Sequence, residues 1–219
     1  MALVLNIETA TTNCSVSLSK DGEILVLKED NNAGYSHAEM LHVFIDEVFK
    51  ISKLKPIDID AIAVSKGPGS YTGLRIGVSS AKGLCFALNK PLLAIDTLAS
   101  LARQVKIDKG FIVPMLDARR MEVYSAVFDS NYEKEREIKA EILDNNSFGN
   151  ILNHSKVYFV GSGAEKTKTI IQHPNAVFID GKLPSANEMA VLSEIKHKKS
   201  DTEDVAYFEP YYLKNFIAG

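Results

Sequence analysis

The segment Gly67-Pro68-Gly69-Ser70-Tyr71-Thr72-Gly73-Leu74-Arg75 holds the residue types and spacing that most invite chemistry. It follows the apolar run Ala61-Ile62-Ala63-Val64 and opens an apolar-periodic stretch. A glycine-rich loop that leaves a strand and feeds a helix N-terminus gathers backbone N–H groups, so Gly67 and Gly69 are candidates to hold an anion. The spacing is not that of a P-loop, since no Gly-Lys-Ser/Thr follows, and Pro68 removes a donor that the dinucleotide fingerprint needs. The Gly-x-Ser-x-Gly nucleophile elbow is absent too. Glu8-Thr9 could face phosphates through a water or Mg²⁺, and Gly161-Ser162-Gly163 could clasp an adenosine. On that kinase-like reading Glu8 and Asp96 are the two suitably placed carboxylates, although Asp96 also suits a helix cap. Arg75 stands in the first helical turn, where a cation opposes the helix dipole. An internal carboxylate, a partner's carboxylate or a bound phosphate must offset it.

Metal and nucleophile chemistry find less support. His37 and His42 are five apart, so on a helix they diverge by roughly 140°. They read as two solvated helical histidines. His154, His173 and His197 follow no ligand spacing. Cys14 and Cys85 lie in no Cys-x-x-Cys pair and read as small buried apolar residues. No nucleophile, base and orienter stand at recognisable spacing, although such sets are spatial. The run Lys196-His197-Lys198-Lys199 reads as a solvated helix end. The net charge is -3, so no global field draws the chain to nucleic acid, and if RNA were the substrate another subunit would have to supply much of the basic surface.

The elements that position these residues follow an α/β order. Leu3–Ile7, Cys14–Ser19 and Ile24–Leu27 read as three strands, the last two joined by an Asp21-Gly22 hairpin signal. Ser36-His37-Ala38-Glu39 is a capping box, followed by the helical stripe Met40, Leu41, Phe44, Ile45, Val48 and Phe49. Then come a strand at 61–64, the glycine loop, a helix from about Leu74 to Leu88, a strand at 92–95 and a helix at 97–105. A second series begins at Phe111, with strands at 111–113, 122–128, 157–160 and 177–179, and helices after Gly163 and at 187–197. Residues 131–150 are charged and weakly patterned. The predicted division is 1–106 and 107–219, with the tail packing back on the first lobe. The start Met1-Ala2-Leu3-Val4-Leu5 lacks a basic, then apolar, leader pattern, and no run reaches membrane-spanning length, so a cytoplasmic protein is expected.

Gly73, Gly77 and Ala81 recur every four residues on one helical face. Glycine inside a helix costs about 1 kcal/mol relative to alanine, so a close backbone approach is expected there. The close neighbour is either the chain's own sheet or a helix of another subunit.

Loop and helix together resemble the signature of the TsaB (YeaZ) family, and further blocks match in order: Asn6-Ile7-Glu8-Thr9, Asp117-Ala118-Arg119 with Glu122-Val123-Tyr124, and Phe159-Val160-Gly161-Ser162-Gly163-Ala164. The closing Pro210-Tyr211-Tyr212-Leu213-Lys214 fits as well, with Lys214 in place of the family's arginine. Pro184 to Ala190 also follows that family's pattern. The resemblance implies an α/β, actin-like fold of the hexokinase and heat-shock ATPase type, with two lobes and the second reduced. It implies a non-catalytic partner for the paralogue TsaD, required for transfer of a threonylcarbamoyl group to adenosine of tRNA.

TsaD carries a metal-binding His-x-x-x-His pair where this chain has Thr97 and Leu101, so no metal is expected. The resemblance further implies a heterodimer with TsaD, the TsaE ATPase in the same complex, indirect contact with tRNA, and a homodimer in isolation. No nucleotide is expected to bind tightly, with ATP or ADP at the subunit junction. The expected partner surface is Met40, Val43, Phe44, Gly73, Gly77, Ala81 and Leu84, where Val43 widens the first helix's apolar stripe beyond one buried face. A vestigial nucleotide or anion site would comprise Glu8, Thr9, Gly67, Gly69, Arg75, Gly161 and Gly163. The alternatives are an actin-like small-molecule kinase and a protease acting on its paralogue.

Overall fold

A computed structural model describes residues 2–31 and 37–213. The capping residue Ser36 and the substituted Lys214 lie outside the described residues. In chain order the elements are β1 (Leu3–Glu8), β2 (Cys14–Lys20), β3 (Glu23–Asp30), α1 (His37–Ser52), β4 (Ala61–Gly67), α2 (Tyr71–Leu88), β5 (Leu92–Asp96) and α3 (Thr97–Ala102). They continue with β6 (Phe111–Asp117), β7 (Glu122–Phe128), β8 (Lys134–Ile142), α4 (Gly149–Leu152), β9 (Val157–Val160), α5 (Ala164–Ile170), β10 (Ala176–Ile179) and α6 (Ala186–Lys198).

The strands form two five-stranded sheets, ordered β3-β2-β1-β4-β5 and β10-β9-β6-β7-β8. Taken from its other edge, the second sheet repeats the plan of the first: an antiparallel meander whose opening strand also pairs in parallel with the next strand, which in turn pairs in parallel with the last. This is the two-lobed actin-like order the sequence predicts. The second copy is the leaner one: where 16-residue α1 joins meander to parallel strands in the first, only the four residues of α4 do so in the second.

Two compact units result, Met1–Thr97 with Pro184–Gly219, and Leu98–Leu183. The sequence reading divides the chain at residues 106 and 107 instead. The difference has a physical cause in α6. One face of the first sheet is covered by α1 and α2, where Leu5, Ile7, Val16 and Leu18 meet Leu41, Phe44, Val48, Val78 and Ala81. The other face, Val4, Ala61, Ala63, Leu93 and Ile95, is covered by Ala186 and Met189 of α6. The parallel strands β1, β4 and β5 are apolar on both faces and need both covered, so the chain must return.

The strand β2 shows how it does so. Cys14, Val16 and Leu18 point into the apolar cluster beneath α1, while Ser15 and Ser17 point at α6. Ala186 N–H donates to Ser15 Oγ at 3.0 Å, and Ser17 Oγ donates to Ala186 O at 2.9 Å. The alternating pattern therefore marks two buried faces, one satisfied by hydrogen bonds. Glu29 Oε2 closes the seam, accepting from Ser185 Oγ at 2.8 Å and Ser15 Oγ at 3.2 Å.

Helix α2 begins at Tyr71, three residues before the predicted start, because Ser70 caps it by accepting from Gly73 N–H. It stops at Asn89, whose φ of 52° is left-handed, before Pro91 is reached. Weakly patterned 131–150 contains β8, a nine-residue edge strand whose charged residues discourage pairing with other chains.

Candidate functional site

The candidate anion-site residues of the first unit, Glu8, Thr9, Gly67, Gly69 and Arg75, lie at the ends of β1 and β4 and at the start of α2. Glu8 ends β1 and is fully buried. Its Oε1 accepts from Ala10 N–H at 2.6 Å and from Ser65 Oγ at 2.8 Å. Burial pushes its carboxyl up from 4.5 to about 7, against the lowering effect of the bonds from Ala10 and Ser65. Thr9, also buried, donates from Oγ1 to Gly73 O at 2.8 Å.

The small residues of the loop and helix are explained by this turn. A Cβ on Gly69 would lie within 3 Å of Ala10 O, on Gly73 within 3 Å of Thr9 O, and on Gly77 within 3 Å of Thr9 Oγ1. Hence the face Gly73, Gly77 and Ala81 is buried against its own unit, as is Phe44 at 5% exposure. These four residues of the expected partner surface are buried within the chain itself: Gly73 and Gly77 lie against Thr9 of the β1–β2 turn, and Ala81 and Phe44 pack in the apolar cluster of the first sheet. The other three differ. Val43 is 43% exposed, and Met40 and Leu84 are half-buried. Elsewhere on α2, Phe86 is 87% exposed and nothing lies within 4 Å of where a Gly83 Cβ would be. A shallow groove of about 480 Å³ runs beside this face, floored by Ile45, Phe49 and Leu54.

Two readings are corrected. His37 is not solvated: it is 1% exposed, with Nε2 2.6 Å from Thr11 O, and burial lowers its pKa. His42 is exposed and meets Ser80 Oγ at 3.3 Å. Arg75 has no internal salt bridge among the described residues. Its Nε donates to Tyr212 Oη at 3.2 Å, and its guanidinium stacks 4.3 Å from the centroid of Tyr71. The sequence contained no signal for this pairing, since Tyr212 is 137 residues away.

Tyr212 arrives on a strap formed by the tail. Glu203 N–H donates to Leu92 O, at the edge strand β5. Lys82 Nζ donates to both Ala206 O and Phe208 O at 3.0 Å. Tyr211 N–H donates to Lys66 O at 2.7 Å, and a Cβ on Gly67 would meet Tyr211 O. The strap thus runs antiparallel to α2 and ends over the glycine loop. At the loop itself, Gly67 N–H donates to Thr97 Oγ1 at 3.2 Å. Thr97 and Leu101 are both buried, and among the described residues no group of three or more His, Cys, Asp or Glu could hold a metal ion.

In the second unit, Gly161 has φ of 106°, and its Cβ would collide with Met115 O and Leu101. Gly163 N–H donates to Met115 O, and Asp117 N–H donates to Ser162 Oγ. These glycines fit β9 and α5 closely onto β6. Among the described residues no helix is long and apolar enough to cross a membrane.

Comparison with known proteins places this geometry in a family. A family profile described as "TsaD: tRNA N6-adenosine threonylcarbamoyltransferase" matches residues 31–218. The "tRNA threonylcarbamoyladenosine biosynthesis protein TsaB" of Escherichia coli K12 is 30% identical over 238 residues, covering 98% of this chain and 96% of that protein. The Haemophilus influenzae protein of the same name is 28% identical, covering 98% and 94%. The solved structure "YeaZ from Pseudomonas aeruginosa" superposes with a TM-score of 0.81 at 25% identity, covering 97% and 100%. A second Pseudomonas aeruginosa structure, described as similar to peptidase YEAZ, shares the fold with a TM-score of 0.86 at 24% identity, covering 98% and 100%. Matched from end to end by relatives of one name, the chain belongs to the TsaB (YeaZ) family.

Proposed function

We propose that this chain is a non-catalytic subunit of tRNA threonylcarbamoyladenosine biosynthesis, required by TsaD for transfer of the threonylcarbamoyl group to adenosine. The observation that carries this reading is the near full-length match to proteins named for that pathway. The inward-turned site supports an accessory role. Glu8 is enclosed, its Oε1 engaged, and the turn that would approach a phosphate is packed under the glycine face of α2. A nucleotide, ATP or ADP, would then be held at the junction with TsaD and not by this chain alone.

The pairing surface comprises the exposed parts of both helices, Val43 and Met40 on α1 with Leu84, Gly83 and Phe86 on α2. Phe86 at 87% exposure is a large apolar side chain with no internal use. The same self-complementary helix pair would make a homodimer when TsaD is absent. TsaE completes the complex, and tRNA is reached mainly through the other subunits, in keeping with a net charge of -3. The deciding experiment is modification of tRNA by purified TsaD and TsaE, with threonylcarbamoyl adenylate supplied, in the presence and absence of this chain. Full activity in its absence would overturn the reading. Phe86→Asp should abolish co-purification with TsaD while leaving the chain folded.

A further inference from the structure

The tyrosine bracket around Arg75 ties the tail strap to α2 and at the same time has the geometry of a prepared ligand group. Arg75 is exposed, in the first turn of α2, where the helix dipole disfavours a cation. No carboxylate pairs with it among the described residues; Glu209 acts only through space. Its position is nevertheless fixed on two sides. The Tyr71 ring lies 4.3 Å beneath the guanidinium, Tyr212 Oη takes its Nε–H at 3.2 Å, and the two rings lie 5.1 Å apart. With Nε engaged and the two terminal nitrogens bonded to no described residue, the guanidinium presents a fork, the arrangement that meets a carboxylate bidentately.

We infer that Arg75, held by Tyr71 and Tyr212, is an anchor for a carboxylate of the partner protein. This rests on the subunit reading above and extends its surface. Arg75 and Phe86 are 11 residues apart, roughly three turns and 16 Å along α2, and fall on nearly the same side of it. The surroundings favour a protein carboxylate over a nucleic-acid phosphate. The adjoining strap carries Glu203, Asp204 and Glu209, which oppose an extended polyanion more than a single carboxylate, its Asp201 is paired with Lys196 at 2.7 Å, and the nearby cation Lys82 is turned onto the strap's own carbonyls. Exposed Tyr207 and Tyr211 complete a surface rich in tyrosine and arginine, the residue types that dominate protein-interface hot spots.

The test is the dissociation constant of this chain with TsaD, measured across a salt series for the natural chain and for Arg75→Met, Arg75→Lys, Tyr212→Phe and Phe86→Asp. Arg75→Met should weaken binding by about tenfold or more and flatten the salt dependence. Arg75→Lys should recover little, since an ammonium cannot present the fork. Tyr212→Phe, which keeps the ring and loses the tether, should give a smaller loss. Unchanged binding by Arg75→Met, with Phe86→Asp impaired, would overturn the anchor and leave the subunit reading standing. No binding by the natural chain would overturn both. Loss of labelled tRNA binding by Arg75→Met, with TsaD binding intact, would assign the guanidinium to phosphate and also sink the proposal. Because Arg75 is exposed, these variants should keep the natural thermal midpoint.

Discussion

Replacing Glu8 by glutamine should make the protein more tolerant of rising pH. The buried carboxyl titrates at about 7 in the fold against 4.5 in an unfolded chain. A raised folded value means the group's contribution to stability is fully present below the unfolded value and is lost as pH rises through the folded one. The loss is about 1 kcal/mol at pH 5 and about 3 kcal/mol at pH 7, with little more beyond pH 8. Glutamine is neutral throughout and keeps an oxygen that can accept from Ala10 N–H and Ser65 Oγ. Its own effect on packing is a constant offset. Urea melts of both proteins at unit steps from pH 5 to 9 isolate the remainder. The stability of Glu8→Gln relative to the natural chain should climb by roughly 2 kcal/mol between pH 5 and 7, then level off. A difference that is flat with pH, or that grows towards acid, would show that Glu8 ionises freely and is not enclosed as described.

The glycines of α2 offer a paired contrast. Gly83→Ala, in open space, should stabilise by up to about 1 kcal/mol, whereas Gly73→Ala, against the backbone of Thr9, should destabilise by roughly 1–3 kcal/mol in thermal melts. Arg136→Met should destabilise by roughly 3 kcal/mol in chemical denaturation, because it strips Glu141 of its closest ion-pair partner while leaving that carboxylate largely buried. Both thiols are buried and pushed up, Cys14 to about 11 and Cys85 to about 12, so a thiol reagent at pH 8 should label neither within minutes and both on unfolding.

Much of the fold was legible because it rests on local patterns. The helical stripe from Leu41 to Phe49 and the apolar runs at 3–7, 61–64 and 92–95 gave α1, β1, β4 and β5 nearly at their observed limits. The glycine face also announced a close approach, but its neighbour could not be read, since Thr9 lies 64 residues before Gly73. Periodicity marks which side of an element is small or apolar and says nothing of what covers it. For the same reason Ser15 and Ser17 read as an ordinary alternating strand, though each meets α6 about 170 residues later. Ser65, which steadies Glu8, and Tyr212, which holds Arg75, left no trace in composition or spacing. His37 was misread as solvated because its burial depends on the carbonyl of Thr11 across the fold.

The return of α6 to the first sheet also sets a timetable. Residues 98–183 form their unit from one continuous stretch, so it can close as soon as it leaves the ribosome. The first unit cannot. Its sheet is finished at Asp96, yet Val4, Ala61, Ala63, Leu93 and Ile95 wait for Ala186 and Met189. At 5–20 residues per second, the roughly ninety residues in between take about 5–18 s to make. During that interval a nearly complete sheet presents a bare apolar face, so the nascent chain is most open to aggregation, or to a chaperone, after its first half has been synthesised.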